Sequence, residues 1–118
     1  MRAAIDIGSN SIRLALSDGT GRSTITKLAD GIDRTGKLSP VGISATLDAL
    51  REYAKVCRAA GCDSITVFAT EAVRRAADGA QFCAAVKAEI NLDVLILSAE
   101  QEARLALAGA TKPDGAIT

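Results

Sequence analysis

The N-terminal part of the chain carries a hydrophobic pattern that predicts two strands. Ala3-Ala4-Ile5 is an apolar run typical of a buried strand. From Ser11 to Leu16 apolar and polar residues alternate, which is the period of a strand with one face on the core. Because only a short Gly-Ser-Asn-Ser turn lies between the two runs, the pattern predicts a β-hairpin.

Further along the chain, helical and strand patterns alternate. A stripe of apolar residues at helical spacing predicts a helix from Pro40, with Ser39 as its N-cap and Gly61 after its end. Ser98 and Gln101 fit a capping box that opens another helix. The elements predicted after the hairpin are, in order, a strand over residues 23–28, a loop over 29–37, a helix over 40–60, a strand over 64–70, a polar connection over 71–76, a helix capped by Asp78, a strand over 92–97 covered on both faces, a helix from Ser98 to about Gly109, and the first residues of a further strand at 116–118.

This order, β-β-β-α-β-α-β-α, predicts an α/β fold with one mixed sheet, in which an antiparallel hairpin joins parallel βα units. It resembles the ribonuclease-H-like fold, in the version used by the actin-like ATPase, sugar kinase and Hsp70 superfamily. In an open sheet of this kind, ligands collect at the carboxyl ends of the strands. We therefore expect residues 6–11, 70–74 and 98–102, which each follow a predicted strand, to share one edge.

Composition narrows the classes of function. Hydrophobic residues make up 48% of the 118 residues and aromatic residues only 3%, which indicates a single domain, or part of one, with an aliphatic core. The 14 basic residues (Lys and Arg) balance the 14 acidic residues (Asp and Glu), so no net electrostatic field draws the chain to nucleic acid or to an anionic membrane. No apolar run has the length of a transmembrane helix and no signal peptide is recognisable, so we expect a cytoplasmic protein.

The residue inventory also excludes some chemistry. The sequence has no histidine, and its three cysteines lack Cys-x-x-Cys spacing. Zinc sites and Ser-His-Asp or Cys-His catalysis therefore cannot be built from this chain alone. Cys57 falls on the apolar stripe of the predicted 40–60 helix, so we expect it to be a buried and reduced thiol.

The turn between the first two strands carries the first candidate site. Gly8 lets a ligand approach the backbone, and Ser9, Asn10 and Ser11 supply donors beside backbone N–H groups, a combination that suits phosphate oxygens. Asp6 ends the preceding strand, where its carboxylate can hold a divalent cation directly or through water. Because Gly, Ser and Asn are also the commonest turn residues, an ordinary hairpin turn remains an alternative.

Two charged residues in other loops extend this candidate site. Arg74 follows a predicted strand, where its guanidinium can clamp phosphate with two hydrogen bonds, although a solvated charge or a local ion pair is the alternative. Glu102 lies in the first turn of a predicted helix, which favours its ionised form. Such a carboxylate can accept a proton from water or bind a metal, and the alternative is an acid that only stabilises the helix.

Three ordered segments carry a resemblance to a known family. Residues 6–14 (DIGSNSIRL), 69–74 (ATEAVR) and 98–105 (SAEQEARL) resemble the exopolyphosphatase and guanosine pentaphosphate phosphohydrolase (Ppx/GppA) family, and the likeness spans residues 3–110. It implies a phosphatase that removes terminal phosphate from inorganic polyphosphate or guanosine pentaphosphate with Mg²⁺. By that resemblance Glu102 corresponds to the catalytic base that activates water.

The same resemblance assigns the other site residues. Arg74 corresponds to the family's phosphate-binding arginine, and Gly8 to Ser11 form its first phosphate loop; Asp6 and Glu102 remain the candidate metal ligands. The chain departs from the family at Gln101, where a second glutamate usually stands beside the base.

The resemblance also bears on domains and partners. Family members continue from a segment like residues 116–118 into a second phosphate loop and a second half-domain. We therefore expect residues 1–118 to be a single domain, the N-terminal lobe of a two-lobed phosphatase, and to be inactive alone. A homodimer is implied for the full-length protein, with no membrane or nucleic-acid partner. A lobe of a sugar-kinase-like or Hsp70-like ATPase and a non-catalytic phosphate- or nucleotide-binding module remain alternatives.

Overall fold

The computed structural model describes residues 1–104, which build a mixed sheet of 5 strands with helices packed on it. The strands are β1 (Arg2–Ile7), β2 (Ser11–Leu16), β3 (Gly21–Ile25), β4 (Ser64–Ala69) and β5 (Val94–Ile96), and the helices are α1 (Ile32–Thr35), α2 (Pro40–Ala59), α3 (Glu71–Arg75) and α4 (Gly79–Ile90). Residues 99–104 are also helical and are called α5. The predicted continuation to Gly109 and the strand at 116–118 lie outside the described residues. Within residues 1–104, no helix is long and apolar enough to cross a membrane.

The strand order is β3-β2-β1-β4-β5. The pairs β1–β2 and β2–β3 are antiparallel, whereas β1–β4 and β4–β5 are parallel, so the predicted hairpin and mixed sheet are confirmed. Ile7 lies opposite Ala69, and Ala69 lies opposite Ile96. This register brings the carboxyl ends of β1, β4 and β5 to one edge, as the sequence predicts.

The core lies between the sheet and helices α2 and α4. Tyr53 and Cys57, both from α2, are buried in it. The Tyr53 hydroxyl lies 2.7 Å from Thr24 Oγ1 and donates to the Ile12 carbonyl at 3.3 Å, so it ties α2 to β2 and β3. Burial raises the pKa of the Cys57 thiol to about 11, and Cys57 forms no disulfide, which confirms the expected buried and reduced thiol.

Two helices, α2 and α5, begin at their predicted caps. Ser39 Oγ accepts a hydrogen bond from the Gly42 amide at 3.1 Å, and α2 begins at the next residue, Pro40. At α5 the capping box is complete: the Ser98 amide donates to Gln101 Oε1 at 2.8 Å, and the Gln101 amide donates to Ser98 Oγ at 3.1 Å. These reciprocal bonds satisfy two amides that a helix start leaves without partners.

Three predicted segments differ from the structure. The third strand ends at Ile25 instead of residue 28, since the amides of Thr26 and Lys27 both turn to the Asn10 carbonyl. Part of the predicted loop over 29–37 is the short helix α1, and the predicted connection over 71–76 contains α3. Short helices of this size carry too little periodicity to be recognised in a sequence.

Two further expectations are wrong. Asp78 occupies the N-cap position of α4, but its side chain makes no cap bond and instead accepts from the Leu38 amide at 3.0 Å. The strand predicted over 92–97 has only 3 residues and is not covered on both faces, since Leu95 is 58% exposed and Ile96 42%. It is exposed because β5 is the outermost strand of the sheet.

The contact between α3 and α4 leaves no room for a side chain at Gly79. An added Cβ would lie 2.1 Å from the Val73 carbonyl oxygen. We therefore expect Gly79→Ala to lower the free energy of unfolding, measured in urea, by roughly 3 kcal/mol. Gly61→Ala is the control: its φ of 73° strains a new side chain, but nothing lies within 4 Å of the added Cβ. It should cost only about 1 kcal/mol. Equal losses in the two variants would contradict the tight contact.

Candidate active site

The turn between β1 and β2 is closed by its own backbone. The Gly8 amide donates to the Ser11 carbonyl at 3.0 Å, and a Cβ on Gly8 would lie only 2.9 Å from that oxygen. Glycine is therefore required for this close approach. Ser9 and Asn10 follow with exposed side chains. The turn thus places their polar side chains in solvent, directly beyond the end of β1.

The carbonyl groups of this turn are engaged within the protein. The Asn10 carbonyl accepts from the amides of Thr26 at 2.9 Å and Lys27 at 3.0 Å, and the Ser9 carbonyl accepts from the Ala29 amide at 3.0 Å. Carbonyl oxygens repel phosphate oxygens, so a turn whose carbonyls are bonded elsewhere is better suited to an anion. This support could not be predicted from the sequence, because it depends on where β3 ends.

Arg74 and Glu102 meet at the same edge of the sheet. Arg74 Nη1 donates to the Leu97 carbonyl at 2.5 Å and to Glu102 Oε2 at 3.1 Å. Their side chains are 29% and 30% exposed, so the pair is partly screened from water. The local ion pair that was an alternative for Arg74 is therefore present, and its partner is the other candidate residue.

The other two nitrogens of the Arg74 guanidinium make no bond to the part of the chain that the structure describes. Within residues 1–104, Nε and Nη2 have no hydrogen-bond partner, because both bonds of the side chain are made by Nη1. The Leu97 carbonyl, directly after β5, accepts one of these two bonds and so helps to fix the position of the guanidinium. This carbonyl has no signal in the sequence, since every residue carries one.

Asp6 is the second carboxylate of the site. Its Oδ1 is buried and has no hydrogen-bond partner among the described residues. Burial raises the pKa of Asp6, the positive charge of Arg13 lowers it, and the negative charge of Glu102 raises it further. Arg13 lies directly across the hairpin from Asp6. A tight turn fixes that register, so the pairing was within reach of sequence reasoning but was missed.

The donor set fits a hard divalent cation. A buried carboxylate oxygen without a partner is an atom that a cation would satisfy, and a second carboxylate, Glu102, is close enough to influence the pKa of Asp6. No group of three or more acidic or cysteine residues that could hold a metal occurs within residues 1–104. Mg²⁺ commonly uses only one or two carboxylates with water and phosphate oxygens, so two are enough for it.

The strand order and the loops at the carboxyl edge define a class of protein. The fold is the ribonuclease-H-like fold of the actin-like ATPase superfamily. The sequence profile of the Ppx/GppA phosphatase family matches residues 6–113. The chain belongs to this family.

Relatives with known names support the same grouping. Exopolyphosphatase 1 of Mycobacterium tuberculosis is 28% identical over 110 residues, covering 86% of this chain and 32% of that protein. Exopolyphosphatase 2 of the same organism is 36% identical over 84 residues, covering 61% of this chain and 26% of that protein. The crystal structure of the Ppx/GppA family member of Aquifex aeolicus matches with a TM-score of 0.83 at 37% identity, covering 95% of this chain and 40% of that one. The chain thus spans less than half the length of these relatives.

The raised pKa of Asp6 makes a prediction about pH. The native state holds the Asp6 proton more tightly than the unfolded state does, so ionising Asp6 costs the native state stability. We expect the free energy of unfolding of Asp6→Asn, relative to the original protein, to increase as pH rises from below 3.8 through the raised pKa. Urea unfolding at a series of pH values measures this difference.

Asp18→Asn is the control of opposite sign. The hydroxyl and the amide of Thr20 both donate to Asp18, which lowers its pKa. The original protein should therefore gain stability over Asp18→Asn as pH rises through the lowered pKa towards 3.8. Parallel pH curves for the two variants would contradict the burial of the Asp6 carboxylate.

Proposed function

We propose that this chain is the N-terminal lobe of a phosphatase that hydrolyses terminal phosphate from inorganic polyphosphate or guanosine pentaphosphate. The observation that carries the proposal is the arrangement of Arg74, whose Nη1 is held by the Leu97 carbonyl and by Glu102. Membership of the Ppx/GppA family supports it. The kinase-like or Hsp70-like alternative has the same fold, but the Arg74 and Glu102 segments count against it.

Substrate binding would use one edge of the Arg74 guanidinium, while the other edge stays on Glu102. Nε and Nη2 of Arg74 offer a pair of donors to two phosphate oxygens, while Nη1 remains on Glu102. The backbone and hydroxyl donors of residues 8–11 would bind phosphate from the end of β1. Since one guanidinium would then contact both the phosphate and Glu102, the carboxylate would be held beside the reacting group.

Glu102 then acts as the general base. A water molecule between Glu102 and the terminal phosphorus would give its proton to the carboxylate as its oxygen bonds to phosphorus. The bond from phosphorus to the bridging oxygen breaks on the opposite side, and the shortened chain leaves with the electron pair. Arg74 and the donors of residues 8–11 stabilise the charge on the transferring group.

Asp6 and Glu102 are the residues that would hold a metal ion. Phosphatases of this family are generally metal-dependent, and we propose Mg²⁺ for this site. When bound, Mg²⁺ neutralises charge on the transferring phosphoryl group. The buried oxygen of Asp6 that lacks a partner is the main support for this role.

The proposal extends to the whole protein. We propose that a second lobe with its own phosphate loop closes the cleft, that the full-length protein is a homodimer, and that it acts in the cytoplasm. Balanced charge, with Lys+Arg 14 against Asp+Glu 14, favours neither nucleic acid nor membrane as a partner.

The role of Glu102 is testable in the proposed two-lobed protein. With polyphosphate and Mg²⁺, we expect Glu102→Gln to lower kcat by about 10²–10⁴-fold, the usual contribution of a general base. Glu100→Gln is the matched control, because Glu100 pairs with Arg104 on the exposed side of the same helix and should leave kcat nearly unchanged. Retained phosphate release in Glu102→Gln would remove the mechanism. Stabilisation by ATP without polyphosphate hydrolysis would favour the ATPase alternative.

Residues 1–118 alone should hydrolyse polyphosphate at no more than the background rate. They contribute a base, an arginine and one phosphate loop, but an open site faces water, where electrostatic stabilisation is weak. Phosphate release by the purified chain with Mg²⁺ measures this. Turnover that depends on Mg²⁺ and disappears in Glu102→Gln would mean that this lobe is sufficient.

A further inference from the structure

Residues 26–38 connect the phosphate loop, residues 8–11, to the segment between α3 and α4. We call residues 26–38 the brace. At one end, the brace binds the phosphate loop: the amides of Lys27 and Ala29 donate to the carbonyls of Asn10 and Ser9, each at 3.0 Å. The phosphate loop therefore has its carbonyl groups fixed by a segment that follows β3.

At its other end, the brace binds the connection between α3 and α4. The Leu38 amide donates to Asp78 Oδ1 at 3.0 Å, and the Ala77 amide donates to the Gly36 carbonyl at 2.8 Å. This connection begins directly after α3, the helix that carries Arg74. The brace thus joins the phosphate loop to the element that positions the arginine.

The brace has little freedom to move between these ends. Leu28, Ile32 and Leu38 are buried in the core. The start of α2 lies directly against the brace, since a Cβ on Gly42 would be 2.7 Å from the Leu28 Cα atom. A close-packed segment of this kind transmits a displacement at one end to the other.

Within residues 1–104, two polar side chains from outside the brace bond to it, and the bond to Asp78 is the less exposed of the two. The Asp78 carboxylate accepts a charge-assisted bond from the backbone amide of Leu38, which is a buried residue. The other side-chain contact, Asp33 with Arg75 at 2.8 Å, joins groups that are 86% and 48% exposed, and such surface pairs contribute little.

We propose that Asp78 is a positioning residue: by anchoring the brace, it fixes the phosphate loop in the geometry that lets the loop and Arg74 bind one phosphate chain together. This inference rests on the proposed function. Two anion-binding groups on separate elements act on one ligand only if their separation is held, so loosening the anchor should weaken binding without removing any contacting group.

Hydrogen exchange tests, without any ligand, whether Asp78 anchors the brace. In Asp78→Ala, we expect the amides of Lys27 and Ala29 to exchange about tenfold faster, relative to the amides that pair β1 with β2. Asp78→Asn keeps an acceptor oxygen and should restore protection. Asp48→Ala, which removes an exposed aspartate of α2, controls for the change in charge. Unchanged protection in Asp78→Ala would overturn the proposal.

Binding of inorganic triphosphate with Mg²⁺, followed by calorimetry on the 118-residue chain, tests the consequence. Asp78→Ala should weaken binding by about fivefold or more, whereas Asp78→Asn and Asp48→Ala should stay within about twofold. Equal affinity in Asp78→Ala would overturn the positioning role. If Asp78→Ala does not fold, Asp78→Glu, which displaces the carboxylate by one methylene, takes its place with the same expectation.

The two proposals fail differently. If the unaltered chain binds no triphosphate, the proposed phosphate site is wrong, and hydrogen exchange still decides whether Asp78 anchors the loop. If triphosphate binds and depends on Arg74, but exchange and affinity do not respond to Asp78→Ala, the site stands and the anchor is wrong.

Discussion

The parallel pairing of β1 with β4, and of β4 with β5, is the constraint on which the rest of the structure depends. A parallel pair brings the carboxyl ends of its strands to the same edge, so the residues that follow each strand converge. Ile7, Ala69 and Ile96 share one row of the sheet, and Asp6, Arg74 and Glu102 meet around it. This strand pairing makes neighbours of residues that are far apart in the sequence.

Features with local causes could be predicted from the sequence. The hairpin follows from period-two alternation around a short turn, and α2 follows from its apolar stripe and from Ser39. The capping box of Ser98 and Gln101 uses only neighbouring atoms, so its pattern was sufficient. The convergence of three loops needed the fold class in addition, because a sheet edge is not a local property.

The remaining features depend on partners that no local pattern reveals. Asp78 stands at a helix N-cap, yet its carboxylate accepts a hydrogen bond from the Leu38 amide instead of from an amide of α4. The candidate residues Arg74 and Glu102 were recognisable by type and placement. Only the three-dimensional structure shows that Arg74 Nη1 donates both to Glu102 and to the Leu97 carbonyl. What they do in catalysis remains a prediction.

The burial of Tyr53 has a consequence for how the chain can be observed. The sequence contains one tyrosine and no tryptophan, so Tyr53 is the main intrinsic fluorophore. Its hydroxyl lies at the contact of α2 with β2 and β3. Tyrosine emission therefore reports the docking of that helix onto the sheet. It carries no direct signal from α5, where Glu102 lies, so optical unfolding and the integrity of the sheet edge that holds Arg74 and Glu102 are separate observables.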